Sequence, residues 1–413
     1  MPGSGAVPVL LATTIGYAAP MNQPIQHPGP RPDYHGGGIV NLMASLLRAR
    51  GGRAAYPDLE LLPAESIANA RHIVLLVVDG LGADWLQQHG RDGILTSHLH
   101  GAMTSVFPPT TATAITSYLT GDAPQQHALT GWHTWMRELG CVMTVLPGRP
   151  RYGGVGYRQA GIDAARLFGN RPVFDRMATR TVAVSPAHIA HSDFNRAHLG
   201  RAELRTFETL RAMFKQTARA IRKARQPSYL YLYWPGLDSI GHEQGIESHH
   251  ALTHLQQIEQ GLEDFVDNIA GSDTVVLVSA DHGQIDTADA DQLWIGDHPE
   301  LADCLTLPLC GEPRAAFCYL HPDRADRFEH YCQEALAERF QLHRSRDLLE
   351  AGLFGLGEPN PRLAERIGDY TLIARGNNVI RERLPFEEPF KQIGVHGGLS
   401  SAELMVPLCR MHC

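Results

Sequence analysis

The sequence has no surplus of basic residues: 36 Lys and Arg stand against 44 Asp and Glu, a formal net charge of −8 over 413 residues. Binding a nucleic-acid polymer through its phosphates needs a basic footprint, so that class of partner is excluded. A small anionic substrate would have to be drawn by metal ions and local cations rather than by the field of the whole surface. No apolar run approaches the roughly 20 residues of a membrane span. The weakly apolar stretch 6–19 (AVPVLLATTIGYAA) has no Lys or Arg before it, the first being Arg31, and so lacks the basic start of a signal peptide. The expected location is cytoplasmic, and periplasmic if that stretch is a signal after all. The seven cysteines (141, 304, 310, 318, 332, 409 and 413) are odd in number and include no CxxC, which points to reduced thiols instead of a disulfide framework. Gly36–Gly38 precede a helical pattern without a Walker lysine, and no GxGxxG follows a strand.

What is present is an alternation of strands and helices. His72–Val78, Tyr229–Trp234 and Thr274–Ser279 are continuous apolar runs bounded by polar residues, the pattern of strands buried on both faces. Helical spacing appears after Ile39, stopping at Gly51 and Gly52, and again over Arg201–Arg225 and His249–Ala270. The predicted fold class is α/β: a doubly wound, mostly parallel sheet with helices on both faces and inserted segments near the active site. Residues 1–35, dense in Pro and Gly toward their end, read as an extended leader, and 36–413 as a single domain. Within it, 133–200 reads as an irregular insertion, and 313–390 as an α+β segment that forms a lid or a sheet extension.

Polar residues gather where these apolar runs end. Asp79 closes the first run, and Asp281 and His282 close VVLVSA. Asp238 and His242 are four apart, on one face of any helical turn. His396 stands among Gly394, Gly397 and Gly398. Ligands of α/β sheets sit beyond the carboxyl ends of the strands, where these residues fall. Three carboxylates and three imidazoles exceed the needs of one catalytic ion, which takes about three protein ligands. They suffice for two, an arrangement suited to phosphoryl displacement. Singly, each residue has an ordinary explanation: an aspartate after a strand is more often a helix cap, and a loop histidine among 22 histidines is commonplace. A hydroxyl nucleophile would come from SVFPPTTATAITSYLTG, where Pro108 and Pro109 precede a helix ending near Gly121, so that Thr110 and Thr111 lie at its start. There the helix N-terminus favours a phosphate.

The order strand-Asp, Thr-rich helix start, Asp-x-x-x-His, Asp-His-Gly and Gly-x-His-Gly resembles the alkaline phosphatase superfamily, and within it the type I phosphodiesterase/nucleotide pyrophosphatase branch, from about Gly36 to Leu408. The resemblance implies one zinc held by Asp79, Thr111, Asp281 and His282 and a second held by Asp238, His242 and His396. It also implies Thr111 as the nucleophile, a phosphothreonine intermediate, and hydrolysis of a phosphodiester or pyrophosphate bond in a small phosphorylated substrate. Manganese or iron could take the place of zinc, since availability weighs with affinity. The chain departs from the family pattern twice: Thr-Phe-Pro-Asn is here Thr111-Ala112-Thr113-Ala114, and a phosphate-contacting asparagine is replaced by Trp132. Nucleotide preference is therefore not inherited. Two other readings use the same residues: a phosphonate or phosphomonoester hydrolase with the same metals, and a catalytically inactive metal-containing binding protein. The nearest cation downstream of the nucleophile segment is Arg137, which suggests too little positive charge for a dianionic monoester.

Overall fold

The computed structural model describes residues 29–385, 387 and 391–413. A seven-stranded sheet forms the centre, and we number its strands in chain order: β1 His72–Val78, β2 Leu99–Thr104, β3 Arg180–Pro186, β4 Glu203–Phe207, β5 Ser228–Trp234, β6 Thr274–Ser279 and β7 Met405–His412. Their order across the sheet is β2-β7-β6-β1-β5-β3-β4. All neighbouring pairs are parallel except those made by β7, which runs antiparallel between β2 and β6. Every residue of β1 and β6 is buried, as a strand covered by helices on both faces requires. The helices Ile39–Ala49, Thr111–Thr120, Leu210–Arg222 and His249–Asn268 pack into the same apolar core. The doubly wound α/β class expected from the sequence is the architecture observed.

A second seven-stranded sheet lies outside this core, in the order Phe340–Arg344, Tyr370–Ala374, Ala315–Cys318, Cys310–Glu312, His133–Met136, Cys141–Thr144, Arg149–Pro150. Two segments far apart in sequence thus interleave in one antiparallel layer with apolar clusters of its own. Residues 133–200 are accordingly less irregular than their weak periodicity suggests: they begin in this second sheet, pass through β3 of the central one and reach the helix Asp193–His198. The helical pattern over Arg201–Arg225 splits into the edge strand β4 and the helix Leu210–Arg222, whose N-cap Thr209 accepts the amide of Ala212 at 3.2 Å. Packing begins ahead of residue 36, since Tyr34 is buried and its hydroxyl donates to the Leu353 carbonyl at 2.9 Å. The stretch 6–19 and the remainder of 1–28 lie outside the described residues.

Candidate metal centre and cleft

The strand register brings the polar residues to one end of the central sheet. β1 and β5 pair from His72↔Ser228 to Val78↔Trp234, and the Asp79 amide extends the ladder by donating to the Trp234 carbonyl at 2.9 Å. The helix Gly236–Gln244 starts immediately after β5 and carries Asp238 and His242 one turn apart. β1 and β6 pair as far as Val77↔Ser279, so Asp281 and His282 emerge beside Asp79. Gly80, with φ of +78°, makes the turn: a Cβ there would lie 3.1 Å from the Asp238 Cα. His396 arrives on a loop locked by Glu403, which accepts the Gly398 amide at 2.7 Å and receives the buried Arg314 at 2.7 and 2.8 Å.

Each side chain is held through one atom, leaving another for the centre. Asp281 Oδ1 accepts the amides of Gly80 at 3.2 Å and His282 at 3.0 Å, and Asp79 Oδ2 accepts the Tyr233 hydroxyl. The opposite oxygens, Asp79 Oδ1 and Asp281 Oδ2, are buried without a hydrogen bond and lie 3.4 and 3.5 Å from His282 Nε2. Asp238 Oδ1 accepts the Gln284 amide, and its Oδ2 is 3.3 Å from His242 Nε2. All three imidazoles meet a backbone carbonyl at Nδ1: His242 that of Gly394 at 2.7 Å, His282 that of Gly283 at 3.0 Å, and His396 that of Pro109 at 3.2 Å. A carbonyl only accepts, so Nδ1 carries the proton and the Nε2 lone pair faces inward, the tautomer a metal ligand needs. Ligand atoms of Asp79, Asp281 and His282 lie within 4.8 Å of one another, as do those of Asp238, His282 and His396. His282 belongs to both groups because its ring stacks on His396, with centroids 3.7 Å apart.

The electrostatics call for cations. Burial pushes the Asp79 carboxyl well above its usual range, and the neighbouring Asp281 and Asp238 push it further. Burial likewise raises Asp281, with Asp238 adding to the rise and His282 opposing it. Burial holds His396 well below an ordinary imidazole, and His282 and His242 deepen the shift. Uncompensated charge of one sign does not collect in a dry site without a counter-ion. Oxygen and imidazole donors in this mixture suit zinc and related divalent ions.

Of the three threonines at the helix start, Thr110 spends its hydroxyl on Glu312 Oε1 at 2.7 Å, and Thr113 is fully buried. Thr111 is partly exposed, opens the helix Thr111–Thr120, and places Oγ1 3.1 Å from His282 Nε2. All seven residues singled out in the sequence therefore come together. Two features escaped the sequence reading. Glu312 lines the same cleft, accepts the Trp132 amide at 2.6 Å as well as Thr110, and is driven by burial, against those two bonds, to a pKa of about 7. The cleft wall also carries Arg149, Arg151, Arg381, Arg383 and Lys391. The estimate of local positive charge taken from Arg137 was thus too low, because the second sheet and the residues after it supply cations remote in sequence.

The sequence pattern of the type I phosphodiesterase / nucleotide pyrophosphatase family matches residues 73–396. The chain belongs to this family. It is a metal-dependent hydrolase of the alkaline phosphatase superfamily, with buried His/Asp groups fit for a dinuclear centre. Its fold is similar to that of murine ectonucleotide pyrophosphatase/phosphodiesterase 5, at 15% identity and a TM-score of 0.58 over 81% of this chain and 87% of that one. An inactive variant of the murine protein in complex with AMP gives 14% identity with the same coverage and TM-score. Phosphonoacetate hydrolase from Sinorhizobium meliloti 1021, in complex with phosphonoformate, matches at 16% identity and a TM-score of 0.59 over 83% of this chain and 90% of that one. No curated protein matches the chain in sequence. Among the described residues, no helix is long and apolar enough to cross a membrane.

Proposed function

We propose that the chain hydrolyses a phosphodiester or pyrophosphate bond through Thr111, with one zinc held by Asp79, Asp281, His282 and Thr111 and the other by Asp238, His242 and His396. The observation that carries this reading is the Thr111 hydroxyl, partly exposed at a helix start and 3.1 Å from His282 Nε2. When bound, the two cations supply the charge that lowers the hydroxyl pKa and offsets the phosphoryl oxygens. Thr111 Oγ1 loses its proton to solvent and attacks phosphorus in line. The bond to the leaving oxygen breaks, and that oxygen leaves on the side of Asp238, His242 and His396. Water then hydrolyses the phosphothreonine and restores the hydroxyl. The amides of Thr111 and Ala112 precede the first bond of the helix, from Thr113 to the Thr110 carbonyl, and hold the phosphoryl group in both steps.

Glu312, hydrogen-bonded to Thr110 beside the nucleophile, favours a phosphoryl group with one negative charge over one with two. A diester is then preferred to its monoester. The AMP and phosphonoformate named with the structural neighbours support a small phosphorylated or phosphonate ligand for this cleft. The test compares kcat/KM for bis(4-nitrophenyl) phosphate and 4-nitrophenyl phosphate with the zinc-loaded protein. Faster diester cleavage is expected, whereas preference for the monoester, or cleavage of a carbon–phosphorus bond alone, overturns the substrate class.

A further inference from the structure

Gln284 is buried and stands two residues after His282, on the segment that also carries Asp281. Its side-chain amide meets two atoms of a single residue, Asp238 Oδ1 and, at 3.2 Å, the Asp238 carbonyl oxygen. Both are acceptors, so the nitrogen is the end of the amide that faces them. A carboxylate gripped together with its own backbone is held in one rotamer. With Oδ1 so engaged, Asp238 keeps Oδ2 for the centre, 3.3 Å from His242 Nε2.

The segment of Gln284 also reaches the other stretches that carry candidate ligands. Ile285 and Asp286 pair with Val395 and Gly394, next to His396. Asp286 accepts the amides of Ile246 at 2.7 Å and Glu247 at 3.2 Å, just past the helix Gly236–Gln244 that carries Asp238 and His242. Gln284 therefore rises from a base that is fixed against both neighbours.

Glycines from three of these stretches leave room for its side chain. A Cβ on Gly80, the residue after Asp79, would lie 3.3 Å from Gln284 Nε2, and one on Gly394 would lie 2.6 Å from Oε1. A Cβ on Gly241, the residue before His242, would overlap Oε1. Gly241 lies inside a helix and has no positive φ, a position where glycine is a poor helix former and the backbone does not call for it. What it offers there is clearance for the Gln284 amide.

The imidazoles of the same group lean on main-chain groups: His242 Nδ1 meets the Gly394 carbonyl and His396 Nδ1 the Pro109 carbonyl. Asp238 leans on a side chain, which a substitution can remove. A ligating carboxylate keeps its direction through the donor on its other oxygen, and losing that donor weakens metal binding.

We propose that Gln284 is the positioning residue of the second ion: its amide holds Asp238 by Oδ1 and so presents Oδ2 to the cation, in a space that Gly80, Gly241 and Gly394 keep open. This rests on the two-ion reading above and deepens it, by making the second ion depend on a side chain that the first ion does not need.

The test is calorimetric titration of zinc into the metal-free full chain, which needs no turnover. Each ion is isolated by removing a ligand of the other: His242→Ala keeps the ion of Asp79, Asp281 and His282, and Asp281→Asn keeps that of Asp238, His242 and His396. Gln284→Met, of similar volume but without the donor, should weaken zinc about 10- to 100-fold when added to Asp281→Asn. Added to His242→Ala, it should change zinc affinity by less than about twofold. Gly241→Ala should weaken the same ion by displacing the amide, and should cost nothing further once Gln284→Ala empties the space. Unchanged zinc affinity on adding Gln284→Met to Asp281→Asn overturns the proposal. So does equal weakening in both backgrounds, which would mean that Gln284 only supports the fold. If Gln284→Met does not fold, Gly241→Ala in the two backgrounds decides, and the lack of a selective loss overturns the proposal. Wild type that takes up a single zinc removes the two-ion reading itself, and the role of Gln284 with it.

Discussion

His396 Nδ1 lies 3.2 Å from the carbonyl oxygen of Pro109, two residues before Thr111 and 287 residues away along the chain. The contact orients an inward-facing nitrogen, and it also ties the loop that carries His396 to the start of the helix Thr111–Thr120. The two halves of the centre are thereby fixed relative to one another.

Metal content is the first expectation. Purified protein should carry two divalent ions per chain, and chelation should abolish activity and lower the melting temperature, because ions bound only by the native state add to its stability. Active protein with no more than trace transition metal by elemental analysis would rule out the dinuclear centre.

In the proposed ligand sets Asp281 and His242 serve different ions, so Asp281→Asn and His242→Ala should each remove one equivalent of metal. Each should cost turnover more than the roughly 10- to 100-fold typical of residues behind the ligands. Normal turnover and two ions in Asp281→Asn would show the ligand assignment to be wrong.

The three threonines should separate. Thr111→Ala should be nearly inactive, and Thr111→Ser should keep part of the rate because it retains the hydroxyl. Thr110→Ala removes a partner from buried Glu312 and should cost about 1–3 kcal/mol of stability. Thr113→Ala deletes a buried hydroxyl that has no partner and should be close to neutral. Acid quench and peptide mapping should locate phosphate on Thr111; label on Thr110 or Thr113 instead would reassign the nucleophile.

Glu312 gives a pH signature. Its folded pKa of about 7 lies above the ordinary 4.5, so the folded state retains a proton that the unfolded state releases. Its contribution to stability is complete below pH 4.5 and is lost as pH rises through 7. Between those limits the stability of metal-free wild type relative to metal-free Glu312→Gln should fall by about 1.4 kcal/mol per pH unit and then level off. A difference that is flat from pH 4.5 to 7 in denaturant titrations would show that Glu312 is ionised throughout.

How much of this was legible in the sequence follows from distance along the chain. β1 and β6 are uninterrupted apolar runs, and their ends as read from sequence coincide with the observed ones. The candidate ligands stand where such runs stop, so local pattern was enough to single them out. β4 was absorbed into a helical pattern because ELRTF is short, lies at the sheet edge and alternates imperfectly. β7, interrupted by Pro407 and Arg410, carries no clear strand pattern and takes its place through pairing with β2 and β6. The cleft cations were invisible for a related reason. Arg149 ends the second sheet and Arg381 ends a strand paired with Gln292–Trp294, so both line one cleft through pairings that no local periodicity encodes.

β7 also sets the order in which the chain can be completed. Because residues 405–412 lie between β2 and β6 in the finished sheet, translation must pass His412 before either strand can complete its pairing with β7. His396 emerges from the ribosome only shortly before. A nascent chain stalled earlier would expose two unpaired strand edges and an incomplete ligand set, a form apt to aggregate and unable to retain both ions. Closure of the sheet and completion of the proposed ligand set therefore fall together, late in synthesis.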